Sequence, residues 1–274
     1  MPFPPRPRAV ITGAASGFGR AVALVLSDRG GRLVLSDIDE DGLAETREMA
    51  EGRGGTVHTA RCDVRSAEDV EALAVLADDA FGGTDIVINN AGVAVAGTIG
   101  EVPLEDWRWA VDINLWGVVY GCHSFVPRMK KQGSGWVMNV ASAAGLLSGA
   151  TMGPYNVSKA GVVALSETLY GELAGTGVSV SALCPTFFQT KIHESARAPA
   201  RLMRATEKLI TKSKWSAEQI ATIALDELEK GELYIIPQAD GRVMWRAKRA
   251  LGKRWFSVMS ELAKPDGVLS KMRG

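Results

Sequence analysis

Cysteine is scarce and scattered: Cys62, Cys122 and Cys184 form no CxxC pair and have no histidine at metal-ligand spacing. A zinc site and a disulfide framework are therefore not expected, and the thiols point to the reducing cytoplasm. An excess of one charge is also missing. With 31 basic and 31 acidic residues the formal net charge is zero, so no overall basic field exists to recruit nucleic acid. No apolar run reaches the ~18 residues that would span a membrane. The Pro- and Arg-rich start lacks the apolar stretch of a signal peptide. Of the histidines, His58 falls in a predicted strand and His123 in a helix; only His193, in a loop, is placed to meet a substrate.

What remains is a chain of 274 residues with 46% hydrophobic content, enough for one large α/β domain with a substantial core. Short β-branched runs at 8–12, 32–36, 56–60, 85–89, 135–141, 178–183 and 233–236 alternate with segments of helical apolar spacing, such as Val22, Val25 and Leu26 or Leu73, Leu76, Ala77 and Ala80. Strands separated by helix-length crossovers imply right-handed βαβ units. The expected fold is a single Rossmann-type, doubly wound parallel sheet of about seven strands with helices on both faces. Residues 1–240 form that domain and 241–274 an added segment.

The first strand runs into Thr12-Gly13-Ala14-Ala15-Ser16-Gly17-Phe18-Gly19 and then a helix. Gly13 permits a tight turn, while Gly17 and Gly19 let backbone amides approach a pyrophosphate at the positive helix end. Asp37 ends the second strand about 20 residues on, where a ribose-reading acid belongs. Its carboxylate would accept bonds from ribose hydroxyls and repel a 2′-phosphate. Neither Ser16 nor Ile38 offers a cation to that phosphate. NAD is expected over NADP. Asp63-Val64 and Asn90-Ala91-Gly92 follow the third and fourth strands, at the strand ends where open α/β sheets bind ligands.

The fifth strand leads to Ser142, and Tyr155-Asn156-Val157-Ser158-Lys159 opens a long helix. Tyr155 and Lys159 share one helical face. Moving a hydride at a carbonyl carbon requires a proton to move at its oxygen. A phenol titrates near 10, so working near neutrality takes about 4 kcal/mol. One cation about 4–5 Å away at an effective dielectric near 20 supplies about that much. Lys159 and an oxidised nicotinamide ring are the candidates.

Taken together, TGxxxGxG, NNAG, Ser142 and YxxxK, in order over about residues 8–238, resemble the short-chain dehydrogenase/reductase family. The resemblance implies Tyr155 as general acid/base, with Lys159 lowering its pKa and binding the nicotinamide ribose. Ser142 would orient the substrate oxygen, and Asn114 would hold a water leading protons outward from Lys159. Asp63 and Val64 would meet the adenine, and Asn90, Ala91 and Gly92 would line the cofactor floor. Thr190 would meet the carboxamide. One departure stands out: the family's Pro-Gly after the sixth strand is here Pro185-Thr186, which restricts the backbone before Thr190. The resemblance also implies a homodimer or homotetramer built on long helices near 106–131 and 155–174.

The segments at 93–102, 143–153 and 187–213 are expected to choose the substrate. Leu146, Leu147, Met152, Phe187 and Phe188 give them an apolar lining, so a small hydrophobic alcohol or ketone is expected. Arg197, Arg201, Arg204 and Lys208 could meet an anionic tail or form a solvated helix face. From 241 to 264, Val243, Ala247, Leu251, Trp255, Val258 and Leu262 make one helical stripe beside Arg242, Arg246, Lys248, Arg249, Lys253 and Arg254. Such a helix docks on its own domain or on a second subunit, or lies on an anionic membrane surface. The functional expectation is NAD-dependent interconversion of a hydrophobic secondary alcohol and its ketone. The rivals are an NADPH-dependent reductase of oxoacyl or lipid-type ketones and a non-catalytic dinucleotide-sensing regulator.

Overall fold

The computed structural model describes residues 2–263. Seven strands form one sheet: β1 (Arg8–Thr12), β2 (Arg32–Asp37), β3 (Thr56–Arg61), β4 (Ile86–Asn89), β5 (Gly135–Val140), β6 (Val178–Leu183) and β7 (Tyr234–Ile235). All pairings are parallel, in the order β3-β2-β1-β4-β5-β6-β7. The chain order reverses between β1 and β4, which opens a crevice at their carboxyl ends.

The helices are α1 (Gly17–Asp28), α2 (Glu40–Gly52), α3 (Ala67–Phe81), α4 (Leu104–Val111), α5 (Gly117–Gln132), α6 (Ala143–Leu147), α7 (Gly153–Glu172), α8 (Ala200–Thr211), α9 (Ala217–Lys230), α10 (Ala239–Leu251) and α11 (Lys253–Ala263). Strand residues alternate between two cores. Ala9 and Ile11 pack with α1, α2 and α9 on one face, and Val10 packs with α3, α5 and α7 on the other. Burial on both faces explains why the strands read as nearly continuous apolar runs. Each fully buried Leu or Ile contributes about 1.5–3 kcal/mol, so this core fixes the sheet on which the site is mounted. Helix ends follow local chemistry. Ser66 accepts from the Asp69 amide to start α3, and Gly82, at φ 73°, ends it.

Two stretches differ from the helices expected. The predicted helix near 106–131 contains a π-helical turn, Asp112–Trp116, between α4 and α5. The predicted single stripe after 241 is broken at Gly252 (φ 53°, ψ −128°), a conformation that only glycine adopts readily. Two helices result, α10 packed on α6 and α11 on α10. Residues 264–274, into which the predicted segment runs, lie outside the described residues, as does the side chain of Leu262. Among the described residues no helix is long and apolar enough to cross a membrane.

Candidate active site

The turn after β1 is held by its neighbours more than by its own glycines. Thr12 Oγ1 accepts from the amides of Asn90 (3.0 Å) and Ala91 (3.1 Å). The Asn90 side chain donates back to the carbonyls of Thr12 (2.8 Å) and Gly13 (2.9 Å). Arg20, absent from the sequence expectations, ties the turn to α2 through Ala15 O, Gly42 O, Thr46 Oγ1 and Glu45. Gly13 (φ 68°) and Gly17 (φ 55°) lie in the left-handed region. Gly19 also has a steric role. A Cβ there would fall 2.2 Å from Gly13 O, so Gly19 is required for the turn to close on its helix.

Asp37 stands at the mouth of this turn. Its carboxylate accepts from the amides of Ala15 (2.9 Å), Ile38 (2.7 Å) and Asp39 (3.1 Å). A carboxylate offers about four acceptor sites, so the group is locked in place with capacity left toward the cavity. Asp63 is paired with Arg65, whose hydrogen bonds hold its carboxyl below the ordinary range.

At the other end, Ser142 caps α6, its Oγ accepting from the Ala144 amide at 3.1 Å. Tyr155 lies in the first turn of α7 and is buried. Burial pushes the phenol above its ordinary value, and a hydrogen bond with Ser142 offsets only part of this. Lys159 Nζ lies 5.9 Å from the Tyr155 ring centroid and donates to Val140 O at 2.7 Å. Burial brings this ammonium down to about 8. Burial also pushes the adjacent Cys184 thiol up to about 12, so it is an inert neighbour.

Asn114 sits in the π turn, fully buried, where the extra residue turns it toward the chain after β4. Its Oδ1 accepts from Val93 N (2.8 Å), and its Nδ2 donates to Val93 O (2.9 Å) and Ser158 Oγ (3.1 Å). A Cβ on Gly92 would fall 3.1 Å from Asn114 Oδ1 and 3.3 Å from Lys159 Nζ. Gly92 thus keeps open the space between them.

One cavity joins both ends. It runs from Asp37 and Ile38 along Asp63 and Val64, past Gly13, Ser16, Gly17 and Phe18, and over Asn90, Ala91 and Gly92. It then reaches Ser142, Tyr155, Lys159, Pro185 and Thr190. Gly19 and Asn114 are the predicted residues that do not line it. A Cβ at Gly17 would meet Thr190 Oγ1 at 3.0 Å, so the chain after β6 closes directly onto the glycine turn. Thr186 resolves the Pro-Gly departure. Its φ is not positive, its amide donates to Gln238 Oε1 (3.1 Å), and its hydroxyl donates to Asp240 (3.3 Å) at the start of α10.

Two other expectations change. The His193 ring is held by Thr190 O through Nδ1 at 3.1 Å and does not line the cavity. The Arg197 guanidinium lies between Asp106 (2.7 Å) and the Trp109 ring (3.9 Å to the centroid) and braces a loop, whereas Arg201 of the same series lines the cavity. Neither Arg20 nor Trp109 belongs to a motif.

The sequence model of the short chain dehydrogenase family matches residues 7–201, with the glycine turn, NNAG, Ser142, Tyr155 and Lys159 inside it. The chain belongs to the short-chain dehydrogenase/reductase family. This dehydrogenase is 34% identical over 241 residues to 1-deoxy-11-beta-hydroxypentalenate dehydrogenase of Streptomyces exfoliatus, covering 87% of this chain and 85% of that one. It is 33% identical over 230 residues to D-beta-hydroxybutyrate dehydrogenase of Rhizobium meliloti, covering 79% and 89%. The crystal structure of a short chain dehydrogenase/reductase from Burkholderia phymatum in complex with NAD superposes with a TM-score of 0.87 at 36% identity, over 90% of this chain and 94% of that one. The enzyme is an oxidoreductase acting on CH–OH groups, of a family that binds NAD(P).

Proposed function

We propose that this dehydrogenase interconverts a hydrophobic secondary alcohol and its ketone with NAD, using Tyr155 as acid/base. One observation carries the reading: Ser142, Tyr155 and Lys159 share a single cavity with the Gly13–Gly17 turn and Asp37. The cradle suits a dinucleotide, since a Cβ at Gly13 would fall 2.8 Å from Ala91 Cα, where a floor is needed. Gly13, Ser16, Gly17 and Phe18 would hold the pyrophosphate, Asp37 and Ile38 the adenosine ribose, and Asp63 and Val64 the adenine. Asn90, Ala91, Gly92, Pro185 and Thr190 would hold the nicotinamide half. A bound oxidised nicotinamide supplies the hydride acceptor and a positive charge beside Tyr155.

In this reading Ser142 binds the substrate oxygen and Tyr155 takes the hydroxyl proton. Lys159, charged below about 8, favours the phenolate and orients the ribose. Asn114 positions Val93 and Ser158 around them, and Gly92 leaves room for a water between Asn114 and Lys159. Asp37 disfavours a 2′-phosphate, which supports NAD. The buried reduced cysteines support a cytoplasmic enzyme. Exposed Trp116 and Val157, with Tyr120 against Trp116 at 5.7 Å, support pairing of two copies along α5 and α7. Light scattering should then give a mass above 29.2 kDa.

The test is Tyr155→Phe. Cofactor affinity is expected to persist while kcat/KM falls about 10²–10⁴-fold, the usual scale of acid/base catalysis. Normal turnover by that variant would defeat the assignment. A wild-type preference for NADP over NAD would overturn the reading of Asp37. Cofactor binding without turnover of any alcohol would leave a dinucleotide-sensing regulator.

A further inference from the structure

The cavity does not end at Tyr155. It continues beneath α10 and α11, where Met244, Trp255, Phe256 and Met259 line it. The whole cavity measures about 1660 Å³, above the ~300–1,000 Å³ of ordinary small-molecule sites. Such a volume takes a dinucleotide and a second sizeable molecule.

Trp255 is only 7% exposed, although it lies in the last described helix and Phe256 and Val258 beside it are open to solvent. The indole is thus buried and lines the cavity. Gly252 allows this by reversing the chain between the two helices. α10 is in turn tied to both segments that flank the reacting groups. Thr186, just after β6, holds Gln238 and Asp240. Lys248 Nζ donates to Leu146 O at 2.6 Å, at the end of the short helix that Ser142 begins. Arg242 donates to the carbonyls of Ile236 and Pro237. The helix pair is therefore referenced to the catalytic serine.

We infer that α10 and α11 form the roof of the substrate site. Met244, Trp255 and Met259 receive the apolar body of a bulky alcohol or ketone whose reacting carbon faces Tyr155. The inference rests on the alcohol–ketone reading above and adds the substrate's size class and the residues that select it. Lys248, held by Leu146 O, keeps its charge over the Phe256 ring at 5.5 Å from the centroid, while Met244, Trp255 and Met259 present apolar wall. Flexible thioether side chains suit a large apolar surface of variable shape.

The test compares cyclododecanol with isopropanol as substrates for the wild type, Trp255→Ala and Trp255→Phe, with NAD affinity measured separately by calorimetry. Losing a buried aromatic contact worth about 1.5–3 kcal/mol should lower the cyclododecanol-to-isopropanol ratio of kcat/KM by about tenfold or more. The loss should appear in KM, with partial rescue in Trp255→Phe and the NAD dissociation constant retained. An unchanged ratio, or equal loss for both alcohols together with weakened NAD binding, overturns the roof. If the wild type oxidises neither alcohol, the alcohol–ketone reading fails by itself. The roof is then judged from cyclododecanone binding to the NAD-loaded protein by calorimetry, and equal affinity in wild type and Trp255→Ala overturns it.

Discussion

Lys159 Nζ donates a 2.7 Å hydrogen bond to the Val140 carbonyl, tying α7 to the end of the strand that leads into Ser142. The ammonium, the phenol above it and the serine are thus positioned by one strand end, and the core that fixes β5 also fixes their geometry. The same burial that makes this possible makes the charge costly.

That cost gives a pH dependence. Folding lowers the Lys159 pKa to about 8 from the ordinary 10.5. Between those values the unfolded chain holds a proton that the folded chain has released, so Lys159 contributes increasing stability as pH rises through that window. Tyr155, shifted upward by burial, acts the other way near the top of that window, where the unfolded phenol ionises first, and this effect is common to wild type and variant. Thermal unfolding of the cofactor-free wild type and Lys159→Met from pH 7 to 10 isolates the contribution from that of the buried thiols. The wild type should gain on the variant with rising pH, and the opposite trend would refute the burial argument.

Gly19 and Gly171 should respond differently to alanine. At Gly19 the new Cβ would overlap Gly13 O and Asn90 Nδ2, at 2.2 and 2.6 Å. Overpacking of this kind costs about 1–3 kcal/mol, and the displaced turn should weaken NAD binding as well. At Gly171, in α7, a Cβ meets nothing within 4 Å. Alanine in that helix should be neutral or stabilising by up to about 1 kcal/mol. Chemical denaturation of the two variants checks the contrast, and equal destabilisation would contradict it.

Much of this was legible in the sequence because the parallel sheet forces it: β-branched runs buried on both faces, a glycine turn after the first strand, a serine at the end of the fifth strand and a Tyr–Lys pair on the long helix that follows. What was not legible has physical reasons. Helical periodicity cannot show a single inserted residue, so the π turn that redirects Asn114 was hidden. Arg20 makes its bonds to partners far along the chain in α2, and no motif carries that information. An apolar stripe says that something covers it but not what. Gly252 divided the C-terminal stripe, sending Trp255 into the cavity while Val243, Leu251 and Val258 stayed exposed. The family's Pro-Gly could be read as lost, but not that Thr186 had gained α10 as a partner.

Asp37→Asn should change the choice of cofactor. The carboxylate faces the cavity and also holds the Ala15 amide, so the substitution loosens the turn for NAD and NADP alike. The ratio of their dissociation constants cancels that shared effect. Hydrogen bonds to a charged group are worth about 1.5–3 kcal/mol, so NAD should bind about tenfold or more weakly. NADP, no longer facing a carboxylate, should lose less. Titration of both cofactors reads the ratio directly, and an unchanged ratio would remove Asp37 from cofactor selection.

Arg197 should act on loop order more than on global stability. Its guanidinium is half-exposed, which limits the Asp106 bridge to about 0–1 kcal/mol. Stacking on Trp109 adds about 0.5–1 kcal/mol. Together they hold a short pairing in which Ala96 N donates to Arg197 O and Arg197 N donates to Ala94 O, both at 3.0 Å. That pairing joins the segment before α8 to the one after β4, and residues of both segments line the cavity. Arg197→Ala should barely move the melting temperature, because the core is untouched. Hydrogen exchange at the amides of Ala96 and residue 197 should accelerate about tenfold, the equivalent of about 1.4 kcal/mol of local opening. KM should rise more than kcat falls, since the loop shapes the pocket without touching Ser142, Tyr155 or Lys159. Unchanged exchange at both amides would show that the backbone pairing stands without the side chain.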